Sequence, residues 1–256
     1  MPAKTENTSI YHITWGEEHG ICSLYFWGCN LRCRICLLKK EVFDCHLPET
    51  RLRIYDASFV SPEPRRFLTL EQALDILGRL PVKRVFLMGG EPLCEPHLPR
   101  ILQFLRKEKS CFISLLTNGK LKPPLDLLDE VIFSIKAVTP SLHRNYTGFS
   151  NIGIFTNFRK LAGISRIRIH TETVFIPEYV DEPEVMKIAG FIASVDPEIP
   201  FRIDAYLPVP GECWRIPEIE ELEALKDKVC SILPRTTCFH GRRGDEPLVY
   251  EVKRVF

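Results

Sequence analysis

From residue 69 to residue 232 the sequence alternates short apolar runs with stretches whose apolar residues recur every three to four positions. That alternation predicts strands at 84–88, 111–116, 130–135, 166–175 and 201–206, each followed by a helix. The helices are expected at 97–107, briefly near Leu125, and at 151–162, 182–194 and 217–232. Ahead of them Thr69, with Gln72 three residues on, reads as a capping box before Leu70, Ala73, Leu74 and Leu77. With a further aromatic-rich strand at 21–27 the count is six parallel strands. Repeated strand–helix units build a parallel sheet with helices on its outer face. Six strands fall short of the eight that close a barrel, so the expected fold is α/β, a partial (β/α)6 TIM-like barrel. Functional residues are then expected at the rim formed by the strand C-termini.

The chain has 256 residues, a length that one α/β barrel domain commonly reaches. The expected division is an N-terminal segment 1–20, a core 21–235 interrupted by a loop insertion at 39–66, and a C-terminal extension 236–256 that carries a single strand. A net charge of +1, with 26% charged residues, gives no polyanion-binding signature, so neither nucleic acid nor a membrane surface is expected as a partner. Nothing resembles a secretory leader or a ~20-residue apolar span, so a cytoplasmic location is expected.

Ten cysteines in such a chain point to metal ligation or catalysis rather than to disulfides. Seven of them are dispersed and read as ordinary small apolar residues. The other three, Cys29, Cys33 and Cys36, lie within eight residues at the end of the first predicted strand. Soft thiolates so close together suit zinc or an iron–sulfur cluster. A structural zinc site wants four protein ligands, and the nearest fourth candidates are Cys22, Cys45 and His46. Three ligands on a cluster leave one iron open to bind another molecule. A second segment, Met88-Gly89-Gly90-Glu91-Pro92, sits at the end of the next strand. Its glycines allow close backbone approach to a ligand, and Glu91 offers a carboxylate to a cationic amine.

The spacing Cys-x3-Cys-x2-Cys, with Ile35 before the last cysteine, and the Gly-Gly-Glu segment about 50 residues later resemble the signature of the radical S-adenosylmethionine (SAM) superfamily. The likeness extends over roughly residues 20–206 and is similar to the glycyl-radical-enzyme activating enzymes, of which pyruvate formate-lyase activating enzyme is one. It is carried further by His19 to Trp27, by Leu116-Thr117-Asn118-Gly119, by Ser134-Ile135-Lys136, and by His143 to Gly148.

The resemblance implies a 4Fe-4S cluster held by Cys29, Cys33 and Cys36, and SAM contacted by Gly89, Gly90 and Glu91, with Asn118, Ser134 and Lys136 as further cofactor contacts. It also implies reductive cleavage of SAM to methionine and a 5'-deoxyadenosyl radical, with an electron donor such as ferredoxin or flavodoxin and a glycyl-radical-type protein or another molecule as substrate. Leu116 and Ser134 stand where the activating enzymes carry acids of a monovalent cation site, and Glu172 stands near the expected place of a cofactor-binding arginine. Lys136 is a substitute for that arginine.

A small-molecule enzyme resembling 7-carboxy-7-deazaguanine synthase is the alternative, and a non-catalytic zinc or iron–sulfur module is a remote one. Arg202 and Asp204 share a strand face and are expected to pair. Cys230, Cys238 and His240 could act as auxiliary ligands, but their spacing fits no familiar pattern and they are read as ordinary thiols and a lone histidine.

Overall fold

The computed structural model describes residues 6–39, 56, 63–240 and 252–256. Most of the expected insertion at 39–66 and much of the tail, 241–251, lie outside the described residues, together with Cys45 and His46. In chain order the elements are β1 (Ile10–Gly16), β2 (Ile21–Phe26), α1 (Leu70–Arg79), β3 (Arg84–Gly89), α2 (Leu98–Phe104) and β4 (Phe112–Thr117). There follow β5 (Glu130–Ser134), α3 (Pro140–Thr147), α4 (Ile152–Ala162), β6 (Arg168–Phe175) and α5 (Glu182–Ala193). The last are β7 (Phe201–Ala205), α6 (Ile219–Cys230), β8 (Thr236–Phe239) and β9 (Lys253–Arg254).

All strands join one open sheet in the order β8-β7-β6-β5-β4-β3-β2-β1-β9. Strands β2 to β8 are parallel neighbours, while β1 pairs antiparallel with both β2 and β9. The parallel part is the expected partial barrel with seven strands instead of six, because the four-residue β8 adds to β7. At four residues, two of them threonines, β8 is too short for a periodic signal. β1 was also not anticipated: all seven of its residues are buried, polar His12 and Thr14 included, so it shows no alternation of apolar and polar positions. The sheet thus reaches into both flanking segments, 1–20 and 236–256.

The strands hold their outer residues under the helices, as with Val85 and Leu87 on β3 and Val131 and Phe133 on β5, all essentially buried. The helices supply the matching apolar faces. In α1 Leu70, Ala73 and Leu77 are buried, and its N-terminus carries the expected capping box: Gln72 N donates to Thr69 Oγ1 at 3.2 Å and Thr69 N to Gln72 Oε1 at 2.9 Å. Such a cap stabilises by about 1 kcal/mol. In α4 Phe158 is fully buried and meets Phe133 edge-on at 5.0 Å between ring centres. Truncating it to alanine is expected to cost roughly 3–5 kcal/mol. No helix among the described residues is long and apolar enough to cross a membrane.

Two registers matter for function. Phe26 pairs with Gly89, so β2 and β3 end level and their following loops emerge side by side. Ser134 pairs with Glu172, and Glu172 with Arg202, which lines up three polar side chains across β5, β6 and β7 on one face.

Candidate functional site

The loop bearing Cys29, Cys33 and Cys36 leaves β2 and is tied down by backbone contacts from two directions. On one side Gly90 N donates to Phe26 O at 2.7 Å and Glu91 N to Gly28 O at 2.9 Å. Gly90 permits this approach, since a Cβ there would lie 2.0 Å from the Gly28 carbonyl oxygen. Gly89 has φ +102, and a Cβ on it would meet the Phe26 backbone at 2.8 Å. The two glycines therefore fuse the Gly-Gly-Glu segment to the cysteine loop through backbone alone. On the other side the last carbonyls of α3 receive the loop: Arg32 N donates to Thr147 O at 2.9 Å and Arg34 N to Tyr146 O at 3.0 Å. These are the orphan acceptors that every helix C-terminus presents. Buried His143 fixes that end, its Nδ1 lying 2.8 Å from Phe149 O and 3.2 Å from Thr147 Oγ1.

Glu91 is 1% exposed and sits in a nest of donors. Thr117 Oγ1 reaches its two oxygens at 2.9 and 3.0 Å, Asn118 N donates at 2.8 Å and Leu93 N at 3.3 Å. Burial pushes its carboxyl above the ordinary carboxylate range, while these donors and the Lys136 ammonium pull the other way. A carboxylate has about four acceptor sites. Three donors fill three of them, so one acceptor site is left over among the described hydrogen bonds.

Asn118 links Glu91 to the cysteines. Its side-chain Nδ2 lies 3.4 Å from Cys29 Sγ and 2.8 Å from Asn30 Oδ1, while its backbone holds Glu91. Lys120 Nζ donates to Asn30 O at 2.8 Å and packs over the Phe149 ring. The buried Asn30 Nδ2 has no hydrogen-bond partner among the described residues. A buried orphan donor calls for an explanation, and a ligand at the cysteine loop supplies one.

Of the other expected contacts, Lys136 Nζ donates to Ser134 Oγ at 2.9 Å, and Ser134 Oγ to Glu172 Oε1 at 2.8 Å. Arg202 completes the row, bridging Glu172 at 2.9 Å and gripping Asp204 through two bonds of 2.6 and 2.9 Å. The ion pair expected of Arg202 and Asp204 is present, with Glu172 as an added member. Among the described residues no hydrogen bond joins this row to the Glu91 nest. Lys136 is nonetheless close enough to oppose the effect of burial on both Glu91 and Cys33.

In the protein alone burial pushes the Cys33 thiol up to about 11, with Lys136 pulling it down, and raises Cys29 also. Thiols in this state need the charge of a metal group to ionise. Three soft thiol donors lie within eight residues on one loop. Beside them are the buried orphan N–H of Asn30 and the Asn118 amide that reaches Cys29 Sγ, sulfur-rich and hydrogen-bonded surroundings of the kind an iron–sulfur cluster takes. The donor set therefore fits a cluster.

Sequence reasoning missed several residues here. Thr117 anchors Glu91, Lys120 clamps the Asn30 carbonyl, and Glu212 receives the Arg34 guanidinium at 2.7 and 3.2 Å. Arg34 also lies over Trp214, which stacks on Tyr179 at 4.2 Å. Loops after β6 and β7 thereby reach the cysteine loop, a convergence with no local signal in the chain.

Comparison with known proteins agrees with this geometry. The profile of the Radical SAM superfamily matches residues 25–188. A candidate glycyl-radical enzyme activating enzyme of Methanocaldococcus jannaschii is 27% identical over 204 residues, covering 77% of this chain and 71% of that protein. The 7-carboxy-7-deazaguanine synthase of Neisseria meningitidis is 39% identical over 74 residues, 28% of this chain and 34% of its own length. In fold, SuiB of Streptococcus suis bound to S-adenosylmethionine superposes with a TM-score of 0.59 at 15% identity, over 86% of this chain and 52% of that one. Enzymes of this superfamily use a 4Fe-4S cluster and SAM. With the profile spanning well over half of its length, the chain belongs to the radical SAM superfamily of enzymes.

Proposed function

We propose that this chain holds a 4Fe-4S cluster through Cys29, Cys33 and Cys36, binds SAM against Gly89, Gly90 and Glu91, and abstracts hydrogen from a glycine of a partner protein. The observation that carries the cofactor half is Asn118, whose side chain touches Cys29 while its backbone touches Glu91. One residue thus sets the distance between the two halves of the site. The cluster and SAM, when bound, supply a one-electron cleavage to methionine and a 5'-deoxyadenosyl radical, with ferredoxin or flavodoxin as the proposed electron donor.

The chain's own residues bind and orient. The remaining acceptor site of Glu91 takes the amine of the methionine moiety, a charge-assisted bond in a place closed to water. Asn118 and the orphan Asn30 Nδ2 donate toward the cluster and its sulfur ligands, stabilising negative charge there. Lys136, held by Ser134, places a cation near Cys33 and Glu91, where a carboxylate can be received. Arg34, clamped by Glu212 and covered by Trp214, steadies the loop between Cys33 and Cys36.

The protein-substrate half draws its support from the similarity to the M. jannaschii protein over three-quarters of the chain. A small polar metabolite is the second reading, favoured by the higher identity to the deazaguanine synthase across a shorter stretch. A peptide carrying dideuterated glycine, given to the anaerobically reconstituted enzyme with SAM and dithionite, separates them. Deuterium in the 5'-deoxyadenosine supports the protein reading. Product that grows only when a pterin is added overturns it in favour of the metabolite.

A further inference from the structure

We propose that Glu223, Cys238 and His240 form a second metal site, one that takes a single zinc-type divalent ion, at the edge of the sheet farthest from the cysteine loop. β8 is the edge strand, six places along the sheet from β2, so this cluster of side chains is separate from Cys29, Cys33 and Cys36.

The sequence places the donors. Cys238 lies on β8 and His240 directly follows it, two positions on, so in extended backbone both side chains leave the same face. Helix α6 packs against β8 and delivers Glu223 to that face. The result is three donor atoms around one point. His240 Nε2 is 2.8 Å from Glu223 Oε1 and 3.4 Å from Cys238 Sγ, and that sulfur is 3.2 Å from the same Oε1. All three lie within 4.8 Å of one another, and no other set of three His, Cys, Asp or Glu donors among the described residues does so.

The geometry distinguishes a metal site from a proton relay. A cysteine–histidine–carboxylate relay uses the two ring nitrogens of the histidine for its two neighbours. Here thiol and carboxylate both face Nε2, so the ring does not bridge these two groups as such a relay would. Their hydrogen bonds already hold three metal-ligating atoms around one point, the arrangement a bound cation needs.

Bond lengths of about 2.0–2.3 Å to nitrogen, oxygen and sulfur require tetrahedral donor pairs roughly 3.3–3.6 Å apart. The observed pairs come within about half an ångström of that, so small side-chain rotations suffice. A mixed thiolate, imidazole and carboxylate set suits zinc. Thiolate and carboxylate neutralise a dication, and Lys226, ion-paired to the other Glu223 oxygen, holds the carboxylate in place. The ion would pin the edge strand to α6 and keep one position open to solvent. Cys230 is not among the donors; its sulfur faces Thr236 O.

Zinc and cobalt titration of the full-length protein tests this without reference to catalysis. The background is a Cys29→Ala, Cys33→Ala, Cys36→Ala variant, which removes the competing thiols, with the cluster-loaded wild type as a second arm. One zinc per chain should survive desalting in both arms, with iron unchanged in the wild type. Cobalt should give a thiolate-to-metal charge-transfer band, and zinc should raise the wild-type melting temperature. Adding Cys238→Ser or His240→Ala should weaken zinc binding by more than the roughly 10–100-fold that loss of an outer-shell partner costs. Wild type with a full cluster that retains no zinc would overturn the proposal. So would zinc that stays bound, or a cobalt band that persists, after both substitutions.

Discussion

Gly90 and Asn118 join the two halves of the proposed site, the cysteine loop and the Glu91 segment. A methyl group at position 90 would sit 2.0 Å from a backbone oxygen that cannot rotate away, so Gly90→Ala must push the Glu91 segment off the cysteine loop. Overpacking of this kind costs roughly 1–3 kcal/mol of stability. The sharper effect is expected in SAM affinity, at least tenfold weaker by equilibrium dialysis, with iron content close to wild type. Asn118→Ala should leave cluster loading intact and shift the cluster's reduction potential to more negative values in a spectroelectrochemical titration, because a donor near Cys29 Sγ is removed. An unchanged potential would mean that the amide does not act on the cluster. The proposed roles of the cysteines, Gly89, Gly90 and Glu91 could be read from the sequence because they rest on local spacing. Thr117, Lys120 and Glu212 were not, since their partners lie 26, 90 and 178 residues away.

Elements are positioned by polar anchors as well as by apolar faces. Glu184 on α5 is 3% exposed and accepts from Val138 N at 2.6 Å, Thr139 N at 2.7 Å and Thr139 Oγ1 at 2.6 Å, tying α5 to the start of α3. Burial opposes its ionisation, but the Thr139 and Val138 donors and Lys187 outweigh it, and the carboxyl is held below its ordinary value. A carboxyl depressed in the folded state adds stability that is full above its unfolded value, near 4.5, and is lost as pH falls through the folded value. Denaturant melts should therefore show wild type more stable than Glu184→Gln at neutral pH, with the gap closing below about pH 4.5. A gap independent of pH would contradict this. At this scale periodicity revealed the strands and helices that bury one face. It failed for β1, buried throughout, and for β8, four residues long. α3 came to notice through its His-x-x-x-Thr-Gly resemblance, and its work, receiving Arg32 and Arg34, is done by backbone carbonyls that no side-chain pattern encodes.

At the scale of the molecule, the open parallel sheet sets the end of β2 level with the end of β3 and aligns Ser134, Glu172 and Arg202 across its neighbours. The cysteine loop, the Gly-Gly-Glu segment and the loops after β6 and β7 then meet at one rim. The alternation that foretold the architecture also directs the proposed site to this rim, while the substrate depends on surfaces that carry no comparable pattern. The central claim is that three cysteines and one glutamate arm this rim for reductive cleavage of SAM. Its most direct measurement is mass-spectrometric quantification of 5'-deoxyadenosine from anaerobically reconstituted protein with SAM and dithionite. Wild type should give 5'-deoxyadenosine and methionine in equal amounts and Cys33→Ala neither; wild type with an intact 4Fe-4S cluster that yields no 5'-deoxyadenosine would rule this chemistry out.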